Sequence, residues 1–217
     1  MSDLSILQEQ TLNFLNDPNQ YIYSNEIIAL ALRFALLDYS SYNPRLELAV
    51  LTLSEDGHEI DLSSLVNIDS IRKVHFPWDS AKPYSEQETN IVTRWDFAII
   101  SGSARVTLET QSNTVPLVGD ELRLVYTTQH TIAGLEGASV TTIPAAHLNL
   151  LSKGAVAYAL LYTASNRADL LDKSLTERLA HIYMDSFHNM LNKIANEHQR
   201  NQAITSWAGM DKYERVY

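Results

Sequence analysis

The sequence predicts an α+β fold: a helical bundle that carries an inserted antiparallel β-sheet or small barrel and ends in a long C-terminal helix. Two observations predict it. Apolar residues recur at three-and-four spacing before residue 43 and again after residue 144, whereas between these points they alternate with polar ones. Turn chemistry such as Asp56-Gly57 and Ser101-Gly102 punctuates the alternating stretch. On this reading residues 1–43 and 144–206 form the helical core, 44–143 the β-rich insertion, and 207–217 a C-terminal tail.

A first helix is expected from Asp3 to about Leu15, with Leu4, Leu7, Phe14 and Leu15 near one face. Asp17-Pro18-Asn19 ends it, because proline disfavours helix in the residue before it. A second helix starts near Ser24, a good cap, with Glu26 at the positive dipole end. It runs to Ser41, and Ile27, Leu30, Ala31, Phe34 and Leu37 supply its apolar stripe. From Pro44 the period changes. "LELAVLTL" (46–53) and "VNIDSIRKVHF" (66–76) alternate as half-buried strands do, with a turn at Asp56-Gly57 between them. "RWDFAII" (94–100) and "ARVTLE" (104–109), joined by Ser101-Gly102-Ser103, read as a hairpin, and "DELRLVYTT" (120–128) makes a further strand. Five or six strands are therefore expected between Pro44 and Thr128. Pro144, well placed as an early helical residue, restarts the helical period. After a pause at "SNRADLLDKS" a long helix is expected from Ser174 to about Ser206. Leu175, Leu179, Ile182, Tyr183, Ser186, Phe187, Met190, Leu191 and Ile194 form its buried face, with Glu177, Arg178, Asp185, Lys193, Glu197 and Arg200 on the other.

At 217 residues the chain is long enough for one core with a substantial insertion. Hydrophobic residues at 45% and charged residues at 19% are ordinary for a folded chain. The 16 Lys and Arg against 26 Asp and Glu give a formal charge of -10, which disfavours tight DNA binding because that affinity comes from cations neutralising phosphates. Cysteine is absent, so there is no disulfide framework, thiolate metal site or cysteine nucleophile. The opening Met-Ser-Asp-Leu-Ser-Ile-Leu lacks a basic and apolar leader pattern, and the expectation is folding in a reducing cytoplasm. The one contender for a membrane span, 144–163, contains His147, Asn149, Ser152 and Lys153, and reads as a buried helix with no membrane partner.

Motifs for chemistry are missing. No phosphate-cradling loop of either common type occurs. Gly134-Leu135-Glu136-Gly137 has the letters of an RNA-clamping Gly-x-x-Gly, yet an acid sits inside it and a pair of turns is the better reading. His181 and His188 could share a helical face, but no carboxylate is spaced with them as in zinc helices. His130 and His147 flank the glycines and could approach one another in a hydrogen-bonded corner. No catalytic residue, cofactor or metal is expected, and the chain reads as a non-enzyme. The tail "WAGMDKYERVY" is rich in aromatics that cannot form a core of their own, which suggests an interface.

Several features together resemble the head-to-tail adaptor proteins of tailed bacteriophages, also called connector or head-completion proteins. They are the strand ending in Val125-Tyr126 with His130 beyond, Thr141-Thr142-Ile143-Pro144, and the small-residue helix Gly154-Ala155-Val156-Ala157-Tyr158-Ala159. Tyr39, Tyr42 and Pro44 at the end of the second helix, and "IDSIRKVHFPW" closing on Pro77-Trp78, are also similar. The likeness covers most of residues 24–200 as an order of elements, with no single diagnostic motif. It implies a virion protein assembled in the bacterial cytoplasm: a ring of subunits, commonly twelve, beneath the portal protein. Such a ring offers tail or neck proteins their attachment surface around a channel that double-stranded DNA passes without specific binding. Trp207, Met210, Tyr213, Val216 and Tyr217 then become candidates for contact with the portal or a neighbouring subunit. The alternatives are a neck or tail-terminator protein that binds the tail tube and, from another class, a small metal-dependent hydrolase built on His130, His147 and nearby acids.

Overall fold

The structure, a computed structural model, describes residues 3–83, 86–87, 92, 94–109, 115–166 and 173–210, with side chains as far as Glu197. Among the described residues the chain forms four α-helices, α1 (Asp3–Phe14), α2 (Asn25–Tyr42), α3 (Leu148–Asn166) and α4 (Lys173–Met210). It also forms six strands, β1 (Arg45–Thr52), β2 (Glu59–Asp61), β3 (Ser70–Trp78), β4 (Arg94–Ile100), β5 (Ser103–Glu109) and β6 (Glu121–Thr128). The fold is mixed α+β. The chain divides into two compact units, Met1–Pro44 with His130–Tyr217, and Arg45–Gln129.

In the helical unit, local chemistry marks the helix ends. Asn16 takes a positive φ of 56° after α1, and the Asp17 carboxylate then gathers the N–H groups of Tyr21, Ile22 and Tyr23 at 2.9, 2.8 and 2.9 Å. The Ser24 hydroxyl accepts from the Ile27 N–H at 3.4 Å and caps α2. A 3₁₀ turn at Ala145–His147 leads from Pro144 into α3. Most of α3 is buried, because small residues let its neighbours approach: a Cβ on Gly154 would lie 2.8 Å from the Phe187 ring of α4. No described helix is long and apolar enough to cross a membrane. Ile132, Leu135 and Ile143 join this core, so residues 130–143, read from sequence as part of the insertion, fold with the helices.

In the β unit, β1-β6-β3 and β2-β5-β4 form two three-stranded antiparallel sheets, and no closed barrel is found among the described residues. One shared core holds Ile71, Val74, Leu122 and Leu124 from the first sheet with Ile60, Val106 and Leu108 from the second. Ser101 and Gly102, at φ 53° and 84°, make the β4–β5 turn, with Ile100 opposite Ser103. Positive φ at both central residues is the type I′ geometry that matches strand twist. The short strand β2 was hidden in sequence by the turn residues around it.

The structure corrects which faces are buried. In α1 the inward side chains are Leu7, Thr11 and Leu12, while Phe14 is exposed. In α2 they are Ile28, Ala31, Leu32, Ala35, Leu36 and Tyr39, while Leu30, Phe34 and Leu37 of the expected stripe face outward. α2 is apolar on two sides, so helical period alone did not choose between them; Glu26, Arg33 and Ser41, all exposed on the side away from Ile28, did. In α4, Ala180, Phe187 and Leu191 are buried, whereas Leu175, Leu179, Ile182 and Met190 are exposed. In β1 most of the larger aliphatic side chains face outward. Ala49 and Leu51 pack against the core, and Leu46, Leu48 and Val50 lie on the outer face.

Candidate functional site

The two loop histidines sit in a satisfied polar corner. The Asn43 amide donates to the Tyr39 hydroxyl at 2.8 Å, which leaves the phenol proton for His147 Nδ1 at 2.7 Å. His130 Nε2 donates to the Asn43 carbonyl at 3.0 Å, and its Nδ1 lies 3.1 Å from the Thr142 hydroxyl. That hydroxyl accepts from the Thr131 N–H at 2.9 Å, and the Ser40 hydroxyl takes the His130 N–H at 3.0 Å. Tyr39 meets both imidazoles edge-on, with ring centroids 5.1 and 5.7 Å apart. Burial raises the Tyr39 phenol pKa against the opposing Asn43 bond, so it remains a donor. The partners named here are hydroxyl, amide and carbonyl groups. The corner fastens the end of α2 to residues 130–147.

The Gly-x-x-Gly is a pair of turns. Gly134, Glu136 and Gly137 all have positive φ, and the Gly134 N–H donates to the Ala138 carbonyl at 2.8 Å. Glu136 points to Arg33 at 2.5 Å, so the loop's acid is spent on α2.

The helical unit also carries outward apolar faces. Ile27, Leu30 and Phe34 of α2 and Tyr158, Leu161 and Tyr162 of α3 line an open groove of about 270 Å³. Phe34 is 43% exposed there, and its ring lies 5.5 Å from that of Tyr158. Below the groove the Tyr158 hydroxyl donates to Asp38, which also lies 3.4 Å from His188 Nε2. Burial, then the Asp38 hydrogen bond and charge, holds the Tyr158 phenol far above its ordinary pKa, so it stays protonated and anchors α3 to α2. The exposed row on α4 is a second apolar face, and Leu46, Leu48 and Val50 of β1 form a third in the β unit, with Leu48 53% exposed. Contiguous exposed apolar patches, where large, mark interaction sites, ligand grooves or aggregation-prone surfaces.

Of the residues read from sequence as interface candidates, Trp207 and Met210 lie on the last turns of α4. Tyr213, Val216 and Tyr217 lie outside the described residues. The groove is not legible in the sequence, because its α2 residues Ile27, Leu30 and Phe34 fall on the stripe that helical period places in the core. Comparison with models of known protein families and with curated proteins finds no match.

Proposed function

We propose that the chain is a structural, non-enzymatic virion protein, a head-to-tail adaptor that assembles as a ring on the portal and presents an attachment surface to tail or neck proteins. The observation that carries this reading is the outward apolar groove between α2 and α3, on helices whose other faces already supply the core. A chain that works alone has little reason to keep Leu30, Phe34 and Tyr162 in water. In a ring these side chains meet a neighbour or the portal. The helical unit then supplies the ring wall, the β unit a contact for a neighbour or tail protein, and the segment after Ser206 an anchor toward the portal. The charge of -10 suits a channel that DNA passes without being held. Four arginines are paired with acids: Arg33, Arg45, Arg94 and Arg105 each lie between 2.5 and 3.5 Å from a glutamate.

The test is native mass spectrometry with negative-stain imaging of the purified protein mixed with the portal. Rings that decorate the portal are expected. Chains that never bind it would sink the proposal.

A further inference from the structure

The exposed row on α4 has a symmetry of its own. Its most exposed member, Ile182 at 63%, lies at its centre. Leu175 and Met190 lie about two turns to either side, and Leu179 and Ser186 about one turn. Along one flank of the row, Arg178 precedes Ile182 by about a turn and Asp185 follows it by about a turn. Both are exposed, and neither has an ion partner among the described residues. At two turns apart, about 10.5 Å along the axis, they are too distant to pair with each other. Opposite charges at matched distances from an apolar centre are self-complementary under a two-fold rotation, since an isologous contact sets the same patch of each copy against the other.

We infer that two copies of the free chain associate through α4, the two helices running antiparallel about a two-fold axis at Ile182. In that arrangement Ile182 meets its counterpart, Leu175 of one copy meets Met190 of the other, and Leu179 meets Ser186. The same flank of each helix comes together, so Arg178 of each copy faces Asp185 of the other. Charge complementarity therefore fixes direction as well as register: a parallel two-fold pair would put this flank of the two copies on opposite sides of the contact, so Arg178 of one copy would not face Asp185 of the other. The occupant of this face is a second copy, because Arg178 and Asp185 each find the opposite charge on it. A cyclic ring contains no such two-fold axis. The pair is thus a state of the free protein that keeps its aliphatic row out of water before any assembly, and it does not rest on the adaptor reading.

Sedimentation velocity of the full chain over a range of concentrations, with no other protein present, tests it. Wild type is expected to show a reversible monomer–dimer equilibrium. Arg178→Glu puts two acid pairs into the contact and Asp185→Lys puts two base pairs there, and each should weaken association by roughly ten-fold or more. An equimolar mixture of these two variants should restore it, since each mixed pair then carries two attractive contacts. Ile182→Asp should leave only monomer. Circular dichroism of every variant checks that these exposed changes leave the fold intact. A monomeric wild type, single charge variants that associate as wild type does, or a mixture no better than its components each overturns the two-fold contact. A chain that pairs in this way yet ignores the portal would overturn only the adaptor reading.

Discussion

At the scale of single residues, the clearest dependence of fold on one side chain is at Asp17. Its carboxylate is 4% exposed and accepts from the backbone N–H groups of Tyr21, Ile22 and Tyr23, turning the chain from α1 toward α2. Burial alone would raise its pKa, but the three hydrogen bonds together outweigh that and leave it lowered. A carboxyl with a lowered folded-state pKa adds stability above its unfolded value of about 3.9 and loses it as pH falls through the folded value. Asp17→Asn keeps the shape of the protonated acid but not the charge. It should therefore cost about 1–3 kcal/mol at neutral pH. Urea titrations should show that gap closing as the pH falls below 3.9, where wild type itself becomes protonated. An undiminished gap in acid would mean the charge is not what holds the turn. Asp17 and Ser24 were legible from sequence as a helix stop and a helix start, since each acts within a few residues. The partners of His130 were not, because Asn43 and Ser40 belong to a distant helix and no local pattern names them.

At the scale of elements, every helix and every strand but β2 was legible, although β3 begins at Ser70 rather than Val66 and α4 runs past Ser206, while the faces that the helices bury were not. The hairpin 94–109 appears where Ser101-Gly102 placed it, since turn geometry is a local property. The inward faces of α2 and α4 differ from the stripes expected for a common reason: each helix has apolar residues on two sides, and period identifies an element without saying which side the core takes. The small-residue run of α3 was the better guide. It predicts close approach, and at Gly154 the approach leaves no space for a methyl group beside Phe187. Gly154→Ala gains up to about 1 kcal/mol in helix propensity, while overpacking costs about 1–3 kcal/mol. A net destabilisation is expected because the obstructing atoms belong to a buried ring wedged between helices. Phe187→Leu should remove the clash, so the double variant should be more stable than the sum of the single losses predicts. Denaturant midpoints of the four proteins measure this. Purely additive losses would show that α3 and α4 do not meet through this contact.

At the scale of the whole molecule, the order helices, strands, helices was legible because hydrophobic period survives any tertiary arrangement. The second boundary between the units was not, since residues 130–143 have neither period and join the helices through Ile132, Leu135, Ile143 and the His130 corner. That corner bears on how separable the units are. Within the β unit, Arg45 and Thr128 are ladder partners, so its two ends lie about 5 Å apart. Within the helical unit, Asn43 and His130 are hydrogen-bonded to each other at 3.0 Å. Both sides of the junction thus have the short end-to-end distance that lets one compact unit interrupt another without straining it. Each unit also has its own buried cluster, with Leu32, Leu151 and Leu191 in one and Val74, Val106 and Leu124 in the other. Replacing Arg45–Thr128 by two glycines should therefore leave a helical protein that melts in a single cooperative transition. Far-UV circular dichroism on heating gives the answer, with amide exchange to confirm protection in α2 and α3. The His130–Asn43 bond is the closing contact, so adding His130→Ala to the shortened chain should lower its melting temperature. A shortened chain with helical content but no cooperative melt would mean that the helical core depends on the strands, and that the two compact units are one folding unit.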